Sequence, residues 1–241
     1  IFFRHVPMTP LWIVAGLAII MFLARRYAAE VYDIIIVKMT QRWYAAVLED
    51  IGKSQRILDV GIGTATALIK NKDLVVKNDI KVVGVDYEEA YVTKAQDMVQ
   101  SAGLKDRVVV FCLSIYDDIV PSLVKRQLTQ DGEEAFDAVY FSGSLTVMPD
   151  PLGALKVAAG VVKKGGYIYV TQTYQRQAPP GLKWLKPMMK YLTTIDFGKL
   201  TFEKDLDDLL RKSGFKIVKN EVIKGSIDNR FQAARIVILQ P

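Results

Sequence analysis

From Val6 to Ala24, VPMTPLWIVAGLAIIMFLA, nineteen residues pass without a charge. A membrane-spanning helix needs about 20 apolar residues. Pro7 and Pro10 stand at the front, where a helix accepts proline. Trp12 suits an interface, and Arg25 with Arg26 would end the span. Gly16 and the all-round apolar character of residues 11–24 argue against an amphipathic surface helix. A buried core helix or a signal-type apolar region are the alternatives. Arg25, Arg26, Lys38 and Arg42 place the C-terminal side of this segment on the cytosolic or matrix face of a membrane. The period then changes. Val31, Ile34, Ile35, Met39, Trp43 and Val47 recur at three to four residues, and neither Gly nor Pro interrupts before Gly52. This predicts a helix over 25–51 that packs on the next domain.

From Arg56 the pattern alternates between short apolar runs and helical periods. RILDVG reads as a strand and ATALIKNKDLVV as a helix. KVVGVDY is a strand, and EEAYVTKAQDMVQSAG a helix ended by Gly103. RVVVFCLS and AFDAVYFSG are strands, separated by the helix-like VPSLVKRQLTQDG. PLGALKVAAGVVKKGG is a helix closed by Gly165 and Gly166, and YIYVTQTY a strand. FEKDLDDLLRKSG is a helix, followed by FKIVKNEVI and AARIVILQP. Such alternation predicts an α/β fold: a Rossmann-like, mainly parallel sheet with helices on both faces. A transmembrane or membrane-anchoring helix precedes it. The domains are then an anchor over 1–25, a helical connector over 26–54 and the α/β domain over 55–241.

Composition narrows the chemistry. Of 241 residues, 51% are hydrophobic and 24% charged, which excludes a disordered or fibrous chain. A net charge of +6 permits an anionic partner such as a membrane surface. Cys112 is the only cysteine, so no intrachain disulfide forms. It lies in a run that reads as a buried strand. His5 is the only histidine, so chemistry in the main domain runs without one, and no metal site is expected.

The stretch ILDVGIGTATAL, residues 57–68, carries the sharpest signal. A strand runs into a glycine turn and then a helix, which brings backbone N–H groups and a helix N-terminus to a ligand. Gly61 and Gly63 are present, Ala65 stands where a third glycine is expected, and Thr66 ends a dinucleotide pattern that would need glycine. Asp86 closes the second strand, where such an acid accepts from ribose hydroxyls.

In these motifs the chain resembles the class I S-adenosylmethionine-dependent methyltransferases over residues 55–241. Alongside ILDVGIGTATAL, the segments VVGVDY, VVVFCLSIYDDI, AFDAVYFSGSLTVMPDP, VVKKGGYIYVTQT and DLLRKSGFKIV occur in the family's order. The resemblance implies S-adenosylmethionine as cofactor. Gly61 and Gly63 would admit its methionine part, and Asp59 would hold its amino group, directly or through water. Asp86 would bind the ribose and Tyr87 would lie on the adenine. Ser114 stands where aspartate often faces the adenine amino group, and Ile115 would offer a backbone N–H and an apolar wall. Phe141 and Ser142 would line the space near the transferable methyl group. Two positions depart from the pattern, Ala65 and Ser114. Replacing Ala65 by glycine is expected to cost a little helix stability. No catalytic residue is assigned: Asp150, Tyr140, Tyr174 and Asp196 are weak candidates for a base.

The segment GLKWLKPMMKYL, 181–192, sets Lys183, Lys186 and Lys190 on one helical face and Leu185, Met188, Met189 and Leu192 on the other. A lid helix over the core and a membrane-surface helix both fit it. No aromatic residues alternate with these lysines along a strand, which argues against nucleic acid. The expected function is a membrane-anchored methyltransferase acting on a hydrophobic small molecule or lipid, facing the cytosol or the mitochondrial matrix. Its membrane would be the mitochondrial inner membrane or the endoplasmic reticulum. Membrane lipids, and other subunits of a membrane complex, are the expected partners. The alternative is a methyltransferase-fold accessory subunit of such a complex.

Overall fold

The computed structural model describes residues 37–118, 122, 135–177 and 201–241. The expected anchor, the 181–192 segment, His5, Asp196 and most of the stretch 120–132 lie outside the described residues. Among the described residues, no helix is long and apolar enough to cross a membrane.

Seven strands form one sheet: β1 (Arg56–Val60), β2 (Lys81–Asp86), β3 (Val108–Cys112), β4 (Phe136–Ser142), β5 (Val162–Gln175), β6 (Lys216–Val222) and β7 (Gln232–Gln240). Their order is β3-β2-β1-β4-β5-β7-β6. The first five are parallel, and β7 pairs antiparallel with both β5 and β6. The central strands β1 and β2 are buried almost throughout, which is why they read as continuous apolar runs. This is the Rossmann-like, mostly parallel sheet expected from the sequence.

Helices cover both faces. On one lie α1 (residues 37–50), α2 (Thr66–Ile69), α3 (Lys72–Lys77) and α4 (Glu89–Ser101). Trp43, Tyr44, Val47 and Leu48 of α1 join Leu68, Val75, Val92 and Val99 over Ile57, Val82, Ala138 and Tyr140. On the other lie α5 (Pro151–Val161) and α6 (Glu203–Ser213), whose Leu155, Ala158, Leu206 and Leu210 pack on Leu58, Val139, Phe141 and Val170. Asp150 caps α5 by accepting from Gly153 N–H at 2.9 Å, and Gly214 ends α6 at φ 73°.

Polar contacts tie α1 down along its length. Asn71 Nδ2 donates to Gln41 O at 2.9 Å and Asn78 Nδ2 to Leu48 O at 3.0 Å. Trp43 Nε1 donates to Ser226 Oγ at 3.2 Å. Asp50 accepts from Tyr169 Oη at 3.0 Å and from Lys219 Nζ at 2.9 Å. The described part of the connector is thus built into the α/β unit.

Three local expectations change. The helix over 65–76 is two short helices, because Asn71 turns its amide back onto Ala67 O at 2.8 Å between them. The helix expected to close at Gly165 and Gly166 ends at Val161. Pairing steps from Phe136↔Val162 to Ala138↔Tyr167, so both glycines sit in an irregular stretch of β5. A Cβ on Gly166 would lie 2.6 Å from Asp137 O. Cys112, expected in the core, is exposed, because β3 is an edge strand and Cys112 ends it.

Candidate functional site

Beyond the carboxyl end of β1, the chain takes the left-handed conformation three times in five residues: Gly61 at φ 75°, Gly63 at 59° and Ala65 at 55°. Ala65 therefore keeps the backbone that a glycine would favour. The turn is pinned to β2: Gly61 N–H and Ile62 N–H donate to Val85 O at 2.8 and 3.3 Å. Gly84 of β2 makes room for this, since a Cβ there would lie 2.6 Å from Ile62 Cδ1.

The two glycines differ in surroundings. A Cβ on Gly61 would lie 2.6 Å from Ser144 Cβ. Ser144, in the loop after β4, donates from Oγ to Val60 O at 2.5 Å. Gly61 therefore serves contact between two loops. Around Gly63 a Cβ would meet nothing within 4 Å. That is where a ligand can approach the backbone.

Asp86 closes the turn from the other side. Its Oδ2 accepts from Gly63 N–H at 2.9 Å and its Oδ1 from Glu88 N–H at 3.0 Å. Carboxylate oxygens each carry two lone pairs, so both can still accept from a hydroxyl. Tyr87, the next residue, is 78% exposed, an aromatic face without a partner in the core. Ser114 lies in a turn in which its N–H donates to Asp117 Oδ2 at 2.8 Å and its Oγ accepts from Tyr116 N–H at 3.3 Å. A carboxylate is thus present in this turn, three residues after the position where the sequence lacks one. Ile115 is buried in the core.

Asp59 is the unusual group. It is 1% exposed, and its Oδ2 accepts from Tyr44 Oη of α1 at 2.6 Å. Its Oδ1 is buried with no hydrogen-bond partner. Burial, opposed by the Tyr44 hydrogen bond and assisted by the charge of Asp86, pushes its carboxyl up to about 7. An orphaned buried carboxylate oxygen is costly, and a cationic or N–H donor would relieve it.

The end of β4 is less open than expected. The Phe141 ring is wholly buried in the second core. Ser142 Oγ is buried beside the Tyr44 and Tyr140 hydroxyls without a well-formed hydrogen bond. Tyr140 and Tyr174 are interior side chains; Tyr140 Oη shares a hydrogen bond with Thr171 Oγ1 at 2.9 Å. Burial raises the Tyr140 phenol well above its ordinary range, so it is a poor base. Asp150 is committed to the α5 cap. Tyr44, Ser144 and Asp117 carry contacts that the sequence alone does not single out. Among the described residues, no group of three or more His, Cys, Asp or Glu side chains is placed to hold a metal.

The chain matches the family described as methyltransferase domain over residues 51–227. It is 28% identical over 128 residues to 27-O-demethylrifamycin SV methyltransferase of Amycolatopsis mediterranei (strain S699), a match spanning 53% of this chain and 42% of that protein. Among solved structures it resembles the [4+2]-cyclase SpnF, with a TM-score of 0.61 and 21% identity over 83% of this chain and 80% of that one. It also resembles a Geobacter sulfurreducens methyltransferase solved with S-adenosyl-L-homocysteine, with a TM-score of 0.56 and 14% identity over 83% and 90%. At these identities the structural likenesses establish the fold alone.

The turn and Asp59 each generate an expected outcome. Ala65→Gly removes left-handed strain from a residue with a Cβ, so it should stabilise the protein by about 1 kcal/mol in urea unfolding, the reverse of the helix-propensity expectation. Asp59→Asn tests the buried charge. The raised carboxyl contributes stability while protonated and loses it as pH climbs from the ordinary carboxylate range through about 7. The advantage of the variant over the parent should therefore grow by roughly 2–4 kcal/mol between about pH 5 and about pH 8, by calorimetric unfolding without ligand.

Proposed function

The chain belongs to the class I S-adenosylmethionine-dependent methyltransferase family, whose domain it matches over residues 51–227, and we propose that it methylates a hydrophobic small-molecule or lipid acceptor at a membrane. The observation that carries the cofactor part of this reading is the orphaned Oδ1 of Asp59, buried two residues ahead of a glycine turn that is open at Gly63.

When bound, the cofactor supplies a methyl group already activated on sulfonium sulfur. The chain's own part is to bind, orient and exclude water. Asp59 provides the missing counter-charge for an α-ammonium group. Gly63 lets the methionine portion pass close to the backbone. Asp86, held by two N–H groups, presents lone pairs to the ribose hydroxyls. Tyr87 offers a flat face to adenine, and Asp117 brings a carboxylate to the turn of Ser114. Tyr140 and Tyr174 are buried in the core and Asp150 caps α5, so the part assigned to the described residues is positioning.

The acceptor class is supported by the small-molecule methyltransferase to which the chain is similar. The match spans less than half of that relative, so its own acceptor is not carried over to this chain. Residues 6–24 supply the proposed anchor, with the α/β domain facing the cytosol or the mitochondrial matrix. The second reading, an accessory subunit of a membrane complex, draws on the departures at Ala65 and Ser114.

Calorimetric titration with S-adenosylmethionine and S-adenosylhomocysteine separates the two readings: saturable binding supports the enzyme, and none supports the accessory subunit. Asp86→Ala should weaken binding by roughly 1–3 kcal/mol, and an unchanged affinity would remove the ribose assignment. The intact chain should sediment with membranes, and removal of residues through about Arg25 should release the domain. A monodisperse intact chain without detergent would overturn the anchor.

A further inference from the structure

We propose that Tyr44 of α1 is a positioning residue of the cofactor site: its hydroxyl holds one oxygen of Asp59 and keeps the other free for the ammonium group of the cofactor. The inference rests on the reading of Asp59 given above, and it makes α1 part of the binding machinery.

The geometry is specific. Tyr44 Oη lies 2.6 Å from Asp59 Oδ2, while Oδ1 has no partner, so the two oxygens are already sorted into a held one and a vacant one. The Tyr44 ring is fixed in turn. It is buried in the core and meets the Tyr140 ring edge-on, with centroids 5.0 Å apart and planes at 85°. The helix carrying it is tied at Gln41, Trp43, Leu48 and Asp50. A phenol placed this firmly can serve Asp59 only as donor, because an ionised carboxylate accepts and does not donate.

The titratable groups facing Asp59 are Tyr44 from α1, Asp86 from β2 and Tyr140 from β4. Among them, only the Tyr44 hydrogen bond favours the ionised carboxylate. An ammonium ligand needs that ionised form. Affinity for it should therefore climb about tenfold per pH unit below the Asp59 midpoint near 7, and level off above it. Without the Tyr44 hydroxyl the midpoint should move up.

The test uses the full chain and S-adenosylhomocysteine, titrated from about pH 5.5 to 9. In Tyr44→Phe the affinity midpoint should rise by roughly one pH unit. Binding should fall by about fivefold at pH 7, by up to about tenfold below about pH 6, and recover at about pH 9. Tyr140→Phe, which removes a hydroxyl bonded to Thr171 instead, should leave the midpoint in place. 5′-Methylthioadenosine, which has no amino-acid part, should show no pH step. A Tyr44→Phe loss of equal size at every pH, or no loss at all, would overturn the role of Tyr44 while leaving Asp59 as the ammonium site. A flat profile in the parent protein, with Asp59→Asn binding as tightly, would overturn both.

Discussion

The site depends on a short piece of backbone held in the left-handed region. Gly61, Gly63 and Ala65 all sit there, and together they turn the end of β1 into the start of α2 within five residues. The two glycines take this conformation freely, but Ala65 resists it by about 1–2 kcal/mol. It is therefore held from outside: Val85 O takes two N–H groups, Asp86 takes a third, and Ile62 fits over Gly84. The carboxylate expected to meet the ribose is also the one that shapes the loop. Binding and architecture cannot be separated at that residue.

A second tension runs through Asp59. A carboxylate at the end of a buried parallel strand has left water without a cation in exchange. Stability alone would favour a neutral residue there. Tyr44 reduces the penalty with one hydrogen bond, and the remainder persists in the free protein. A ligand carrying positive charge recovers it on arrival, so part of the folding free energy is held back until binding.

The sheet was legible because its central strands are apolar on both faces and its glycine punctuation is strong. The motif's spacing singled out Asp59, Gly63 and Asp86, and the structure joins the last two by a hydrogen bond. What the sequence hid has identifiable causes. Tyr44 lies on the same helical stripe as Trp43 and Val47, and an aromatic residue on such a stripe reads as core. Its hydroxyl finds Asp59 only through tertiary packing, fifteen residues along the chain. Asp117 was obscured because a turn brought it back onto Ser114. Gly165 and Gly166 read as a helix stop, although they serve an irregular pairing of β5. Cys112 read as interior because periodicity cannot tell an edge strand from a central one.

The contrast between Gly61 and Gly63 bears on how such chains diverge. Ser144 already occupies the space beside Gly61, so a side chain there would force two loops apart whether or not the protein ever meets a cofactor. Gly61 is a tenant of the fold and would outlive the chemistry. Gly63 has empty space around it, and Ala65 shows that the neighbouring backbone tolerates a methyl group in the same left-handed region. A descendant released from binding could fill position 63 without a clash, at the cost of about 1–2 kcal/mol that the left-handed backbone imposes on a residue with a Cβ. Among descendants of this chain, the glycine that reports a working pocket is therefore the second of the pair, and a surviving first glycine reports only that the sheet still folds.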